Sequence, residues 1–111
     1  MMISMADQPR KVLLFYNDGG KGKWKAQQQV LEAARKDVNE RDINVVSIPF
    51  SSQNADEWKK WEIDGSEAFT FILVGRDGGE KLRSNEVVKI GKLFGLIDSM
   101  PMRKREMNTD N

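Results

Sequence analysis

Phe69-Thr70-Phe71-Ile72-Leu73-Val74 decides the fold. The run is aromatic and β-branched, so it reads as a strand buried on both faces. It is also the longest apolar run in the chain, and too short to span a bilayer. Arg76-Asp77-Gly78-Gly79 follows as a turn of the Asp-Gly type favoured in hairpins. Glu80-Lys81-Leu82-Arg83-Ser84 then alternates, as an antiparallel partner with one solvated face should. The hairpin is the one local pairing that the sequence announces.

The other elements are placed by working outward from it. Upstream, Lys11-Val12-Leu13-Leu14-Phe15-Tyr16 reads as a buried strand ending in Asn17-Asp18-Gly19-Gly20. Residues 22–40 show helical spacing. Trp24, Leu31, Ala34 and Val38 form one stripe, with Val30 and Ala33 beside it, opposite Lys25, Gln28, Glu32, Arg35, Lys36 and Asn39. A single amphipathic helix of about five turns is expected there. Ile43-Asn44-Val45-Val46-Ser47-Ile48 is a second strand, stopped by Pro49, and a short helix is expected over 55–61. Downstream of the hairpin, Ser84 or Asn85 is expected to cap a last helix over 86–100. Val87, Ile90, Leu93, Phe94 and Ile97 line its buried face, and Pro101 ends it.

The order is β-α-β-α-β-β-α. Strands alternating with helices imply parallel pairing through right-handed crossovers, and the hairpin makes the sheet mixed. The fold class is α/β, on a thioredoxin-like plan. The strand order is 2-1-3-4, the third strand is antiparallel to its neighbours, and helices cover both faces. The domain spans 11–107, between an N-terminal extension over 1–10 and a disordered tail over 108–111.

Composition narrows the chemistry by exclusion. The 111 residues fit one domain, and 39% are hydrophobic against 32% charged. Eighteen basic and 17 acidic side chains give a net charge of +1, so no specific nucleic-acid footprint is expected. The absence of cysteine and histidine removes thiol redox chemistry, disulfides, Cys or His zinc sites and imidazole acid–base catalysis. No cofactor, no metal site and no membrane insertion are expected. The start of the chain has no basic segment followed by an apolar stretch. It is expected to be cytoplasmic, or exported with its leader removed.

Two stretches carry a family resemblance. The first is the strand-turn-strand over 69–84. The second is Leu96-Ile97-Asp98-Ser99-Met100-Pro101-Met102-Arg103-Lys104-Arg105-Glu106-Met107. Together they resemble the DUDES domain, and the likeness extends over 11–107. The matching signature positions are Asp77, Gly78, Gly79, Lys81, Leu82, Arg83, Asp98, Met100, Pro101, Met102 and Arg103. The domain occurs as small bacterial proteins and within vertebrate secreted matrix proteins. The resemblance implies a thioredoxin-like relative of the peroxiredoxins without a defined molecular function. Its vertebrate members are linked to matrix adhesion and secreted partners.

Several candidate sites remain. A thioredoxin-like redox centre lies after the first strand, where it needs a thiolate at a helix N-terminus. Here that segment is Asn17-Asp18-Gly19-Gly20-Lys21-Gly22-Lys23-Trp24, and the loop before the third strand has no proline. Neither a Walker loop nor a dinucleotide fingerprint fits its glycines. Gly20, Lys21, Gly22, Lys23 and Lys25 would suit an anion, with backbone N–H groups and lysines at a helix start. Hydrated lysines on a flexible loop explain the same pattern more simply. Arg76, Lys81 and Arg83, with Trp58 and Trp61, would suit an interaction surface. Edge-strand protection and core packing are the plainer readings of these residues. Arg103-Lys104-Arg105 reads as a docked or frayed tail, held on the body by Met102 and Met107. The leading expectation is a non-catalytic module binding a protein partner or an anionic ligand. An enzyme using Asp18 and Glu67, or a self-associating subunit, are the alternatives.

Overall fold

The computed structural model describes residues 8–100, 103, 104 and 106. Its elements are β1 (Arg10–Tyr16), α1 (Lys21–Ala33), α2 (Arg35–Glu40), β2 (Ile43–Pro49), α3 (Ala55–Lys60), β3 (Phe69–Val74), β4 (Glu80–Ser84) and α4 (Ile90–Asp98). Single 3-10 turns at Asp18–Gly20 and Ser52–Asn54 lead into α1 and α3. The sheet order is β2-β1-β3-β4. β1 and β2 are parallel, and β3 is antiparallel to both β1 and β4. The α/β class, thioredoxin-like plan, strand order and strand directions therefore follow the sequence reading. β1 begins at Arg10, inside the expected N-terminal extension. The tail over 108–111, with Met102 and Met107, lies outside the described residues.

Two apolar layers hold the sheet. Val12, Leu14, Phe69, Phe71 and Leu73 pack with Leu31, Val38, Val88, Leu93 and Ile97 on one face. Leu13, Phe15, Ile72 and Val74 pack with Ile48, Trp58 and Ile63 on the other. Alternation along the strands sends successive side chains to opposite layers, which is why residues 12–15 of β1 and all of β3 but Thr70 are apolar. Each such side chain contributes about 1.5–3 kcal/mol when fully buried. No described helix is long and apolar enough to cross a membrane.

Two helix expectations are corrected. The segment over 22–40 is two helices, broken at Ala34, whose φ and ψ of −115° and 28° leave the helical region. Alanine is the best helix former, so no local signal marks the break. Leu31 and Val38, on either side of the break, both reach the same apolar layer. The last helix starts at Ile90, not at 86. Gln27, fully buried on α1, accepts the Val88 N–H through Oε1 (2.6 Å) and donates Nε2 to the Val88 carbonyl (3.1 Å). Those bonds hold the segment before α4 across α1. Ser84 and Asn85 are not its caps. Ser84 Oγ bonds Glu86, and the Asn85 amide donates to Phe69 O, Thr70 Oγ1 and Glu67 Oε2.

Candidate functional site

The loop after β1 meets the loop before β3 at one end of the sheet. The Asn17 N–H donates to the Ala68 carbonyl (3.0 Å), and its side-chain amide donates to the Gly65 carbonyl (3.1 Å). Asn17 also takes up the loop's own donors. Its Oδ1 accepts from the Gly19 N–H (2.9 Å) and its carbonyl from the Gly20 N–H (2.9 Å). Gly20 is buried against Ala68 so closely that a Cβ there would lie 1.7 Å from the Ala68 carbonyl oxygen. In this loop, backbone packs on backbone.

The expected anion cradle is therefore altered at its base, because the Gly19 and Gly20 N–H groups are engaged. Its lysines also part company. Lys21 lies 3.6 Å from Asp18. Lys23 pairs with Glu86 and reaches the Asn85 carbonyl. Lys25 is exposed further along α1. The carboxylates of the enzymatic alternative do not converge either. Asp18 is exposed beside Lys21, while Glu67 Oε2 accepts from Thr70 Oγ1 and the Asn85 amide, both at 3.1 Å.

The expected basic and aromatic surface divides in three. Lys81 sits at an irregularity in the β3–β4 register, where Leu73 pairs with Leu82 but Val74 with Glu80, so the alternation expected to put it on one face with Arg83 is interrupted. Lys81 bonds Asp77 (3.0 Å), while Arg83 bonds Glu80 (2.8 Å) and the Trp61 carbonyl (2.7 Å). Trp61 is half-buried beside them, with the Lys60 ammonium 5.6 Å from its ring centre. Trp58 follows the plainer of its two readings, core rather than interaction surface: it is 2% exposed, edge-on to Phe15 and Phe50. Its apolar neighbours outweigh the charged residues that flank it in sequence. Trp24, expected in the core, is partly buried, stacked on Tyr16 and bonded to Ser47 Oγ (2.8 Å). Gly78 has φ 83°, so the Asp77-Gly78-Gly79 turn needs glycine there. The Gly79 N–H and then the Lys81 ammonium hold the Asp77 carboxyl below the usual range.

Arg76 belongs elsewhere. It leaves the hairpin turn at the opposite end of the sheet and joins a charge cluster that the sequence does not announce. Arg76 donates to Asp42 and Glu106, each at 2.9 Å. Arg10, 1% exposed, donates to Glu106 (3.1 Å) and the Arg41 carbonyl (2.9 Å). Arg41 holds Asp98 with two bonds, at 3.0 and 2.8 Å. Arg103, 4% exposed, reaches Glu40 (2.7 Å) and Asp98 (3.4 Å). The expected docking of this segment is thus ionic at its described residues. Arg41 lowers the Asp98 carboxyl from its usual value, with Arg103 helping. Partial burial pushes Glu106 up, but bonds from Arg10 and Arg76 outweigh it and leave it lowered. Scattered over 96 positions of sequence, this cluster had no spacing by which to be found.

A family model described as a domain of unknown function, DUF4174, matches residues 1–106. The chain belongs to the DUF4174 family. Both stretches that carry the resemblance noted in the sequence fall within the matched region up to Glu106. No curated protein matches this DUF4174 chain. Solved structures do. The malaria parasite's thioredoxin-2, described as a component of its protein secretion machinery, is 18% identical with a TM-score of 0.63. That match covers 83% of this chain and 84% of the other. Fasciola hepatica thioredoxin is 20% identical, TM-score 0.58, over 83% and 81% of the two chains. Chlamydomonas reinhardtii thioredoxin f2 is 24% identical, TM-score 0.52, over 83% and 80%. At such identities the likeness shows the fold alone. The DUF4174 chain has that fold without a cysteine, so thiol redox chemistry has no residue to act through.

Proposed function

We propose that the chain is a non-catalytic thioredoxin-like module that works by binding a protein partner. The observation that supports this is the close packing of Gly20 on the Ala68 carbonyl, in the loop after β1 where the sequence reading sought a redox centre and found no cysteine. The resemblance to the DUDES domain, whose vertebrate members are linked to secreted partners, supports the same reading. The pairing of Lys21 and Lys23 with Asp18 and Glu86 favours a protein over a small anion. Exposed ion pairs are weak, so an anion competing for those lysines remains the second form of the proposal.

A thermal-shift screen separates the two forms. The probes are phosphate, sulfate, nucleotides and a sulfated polysaccharide, on the wild type and on Lys21→Ala/Lys23→Ala/Lys25→Ala. A ligand at roughly 100 times its Kd stabilises by about 2.7 kcal/mol, well within reach of the assay. A saturable shift lost in the variant establishes the anionic form. No shift with any probe removes it. Hydrolysis of ester or phosphate substrates that Glu67→Gln abolishes would overturn the non-catalytic reading altogether.

A further inference from the structure

The two edges of the sheet are built differently. β4, at one edge, carries Glu80, Lys81 and Arg83, charges of the kind that discourage another strand from pairing. β2, at the other, is Ile43-Asn44-Val45-Val46-Ser47-Ile48-Pro49 and has no charge at all. Its register with β1 runs without a bulge from Arg10 opposite Ile43 to Tyr16 opposite Pro49. Val45 and Val46 are each 40% exposed and, with Phe50, are the exposed large hydrophobics among the described residues.

Two hydrogen bonds fix which backbone groups point outward. The Arg10 N–H donates to the Asp42 carbonyl (2.9 Å) at one end of the ladder. The Phe50 N–H donates to the Tyr16 carbonyl (2.8 Å) at the other. Backbone groups alternate along a strand, so Asn44, Val46 and Ile48 face β1. Ile43, Val45 and Ser47 therefore turn N–H and C=O to the open side. Pro49 falls in the same phase and has no N–H to offer. Above the odd-numbered side chains, a groove of ≈ 990 Å³ runs between β2 and the helices α1 and α2. Its rim carries Lys25 and an Arg35–Glu32 ion pair.

We propose that β2 is a self-association edge, which pairs antiparallel with β2 of a second copy about a two-fold axis at Val45. A two-fold perpendicular to the sheet keeps side chains on matching faces only when a residue sits opposite itself. Val45 satisfies this with outward N–H and C=O groups, so the two copies exchange both bonds there. Ile43 then lies opposite Ser47 of the copy, and Ser47 opposite its Ile43. Every outward donor and acceptor from 43 to 47 is matched, and Pro49 stays outside the ladder. The strand has no charge to set against itself. The result joins two four-stranded sheets into one and covers both exposed valines.

The test uses the full chain in sedimentation velocity from about 1 to 200 μM, a span set to detect micromolar affinity. The wild type should shift from monomer to dimer with concentration. Val45→Lys and Val45→Glu each place like charges at the axis and should weaken association by about tenfold or more. Mixing the two variants should restore it. Circular dichroism melts verify that both are folded. A second measurement does not depend on charge. Residues opposed in a hydrogen-bonded antiparallel pair have Cα atoms about 5.5 Å apart, within disulfide reach. In this cysteine-free chain, Val45→Cys should form a linked dimer on mild oxidation, and Arg83→Cys on the other edge should not. A wild type that stays monomeric throughout overturns the proposal. Charge variants that associate as the wild type does, or equal cross-linking from position 83, would also overturn it.

Discussion

Replacing Gly20 by alanine tests the contact on which the functional reading rests. The new Cβ would stand 1.7 Å from the Ala68 oxygen and 2.5 Å from its carbonyl carbon, closer than the 3.0 Å that real Cβ atoms respect. Both obstacles are backbone, so no rotamer change relieves them. The loops must separate by about 1 Å or more in an interior packed to near-crystal density. That strains the bond from the Asn17 N–H to the same Ala68 oxygen and the Asn17 amide's bond to Gly65. Overpacking costs about 1–3 kcal/mol and a lost hydrogen bond about 1 kcal/mol more. The sum, roughly 2–4 kcal/mol, is a large part of the 5–15 kcal/mol typical of a domain. At roughly 4–8 °C per kcal/mol, Tm should fall by about 8–32 °C. Gly22→Ala is the counterpart, one helical position with open space around it. It should gain about 0.5 kcal/mol, since alanine loses less chain entropy in a helix. Thermal and urea melts of both variants beside the wild type make the measurement. A Gly20→Ala protein melting within about 2 °C of the wild type would refute the backbone-on-backbone closure.

The charge cluster gives a pH dependence of definite sign. Arg41 lowers Asp98 from its ordinary 3.8, and Arg10 and Arg76 lower Glu106 from its ordinary 4.5. A carboxyl with a depressed folded pKa stabilises fully above its unfolded value and stops doing so as pH falls through the folded one. The contribution should therefore be complete above about pH 5 and shrink progressively toward pH 2–3, by roughly 1 kcal/mol given the exposure of both side chains. Urea midpoints across that range check it, and Asp98→Asn should flatten the slope. Glu62 has φ 56°, a left-handed conformation that suits glycine. Glu62→Gly should raise stability by about 0.5–1 kcal/mol, and an unchanged midpoint would mean that the residue is unstrained. Gln27→Ala removes both bonds to buried Val88 and should cost about 2–4 kcal/mol. Gln27→Met, which refills the space without the bonds, should recover only a minor part of that loss in the same denaturation assay.

What was legible in the sequence had a period. β3 and β4 carried theirs openly, one as a continuous apolar run and one as an alternation beside an Asp-Gly turn, and their bounds match the reading. The crossovers then follow from handedness, which yields the strand order. What was illegible depended on partners distant in sequence. Nothing local to Ala34 breaks a helix, and nothing local to Val88 says that Gln27 will bind its backbone. Which of Trp58 and Trp61 enters the core is not readable from Asp56, Glu57, Lys59 and Lys60 around them, because the burial of Trp58 is decided by Phe15 and Phe50 from other elements. At the candidate site, the missing thiol was plain from composition alone. The engagement of the Gly19 and Gly20 N–H groups by Asn17 was not, since a glycine-rich loop reads the same whether open or closed.

The residues that make the chain look like a family member sit mostly where architecture is decided. Asp98 and Arg103 help join α4 and the segment after it to α2. Asp77 and Gly78 shape the hairpin that delivers Arg76 to the same end of the sheet. Buried ion pairs contribute little net stability against apolar replacements, but breaking one member is costly, so they fix an arrangement more than they strengthen it. A signature of this kind identifies the fold and says little about what the protein touches. The ligand-facing parts must then be sought where side chains and backbone remain unspent. With Gly20, in the loop after β1, packed on Ala68, the proposed pairing at the uncharged edge of β2 is where the sheet would offer donors and acceptors to another chain. The charges on β4 make the opposite edge a poor rival, and this asymmetry between the edges gives association a direction.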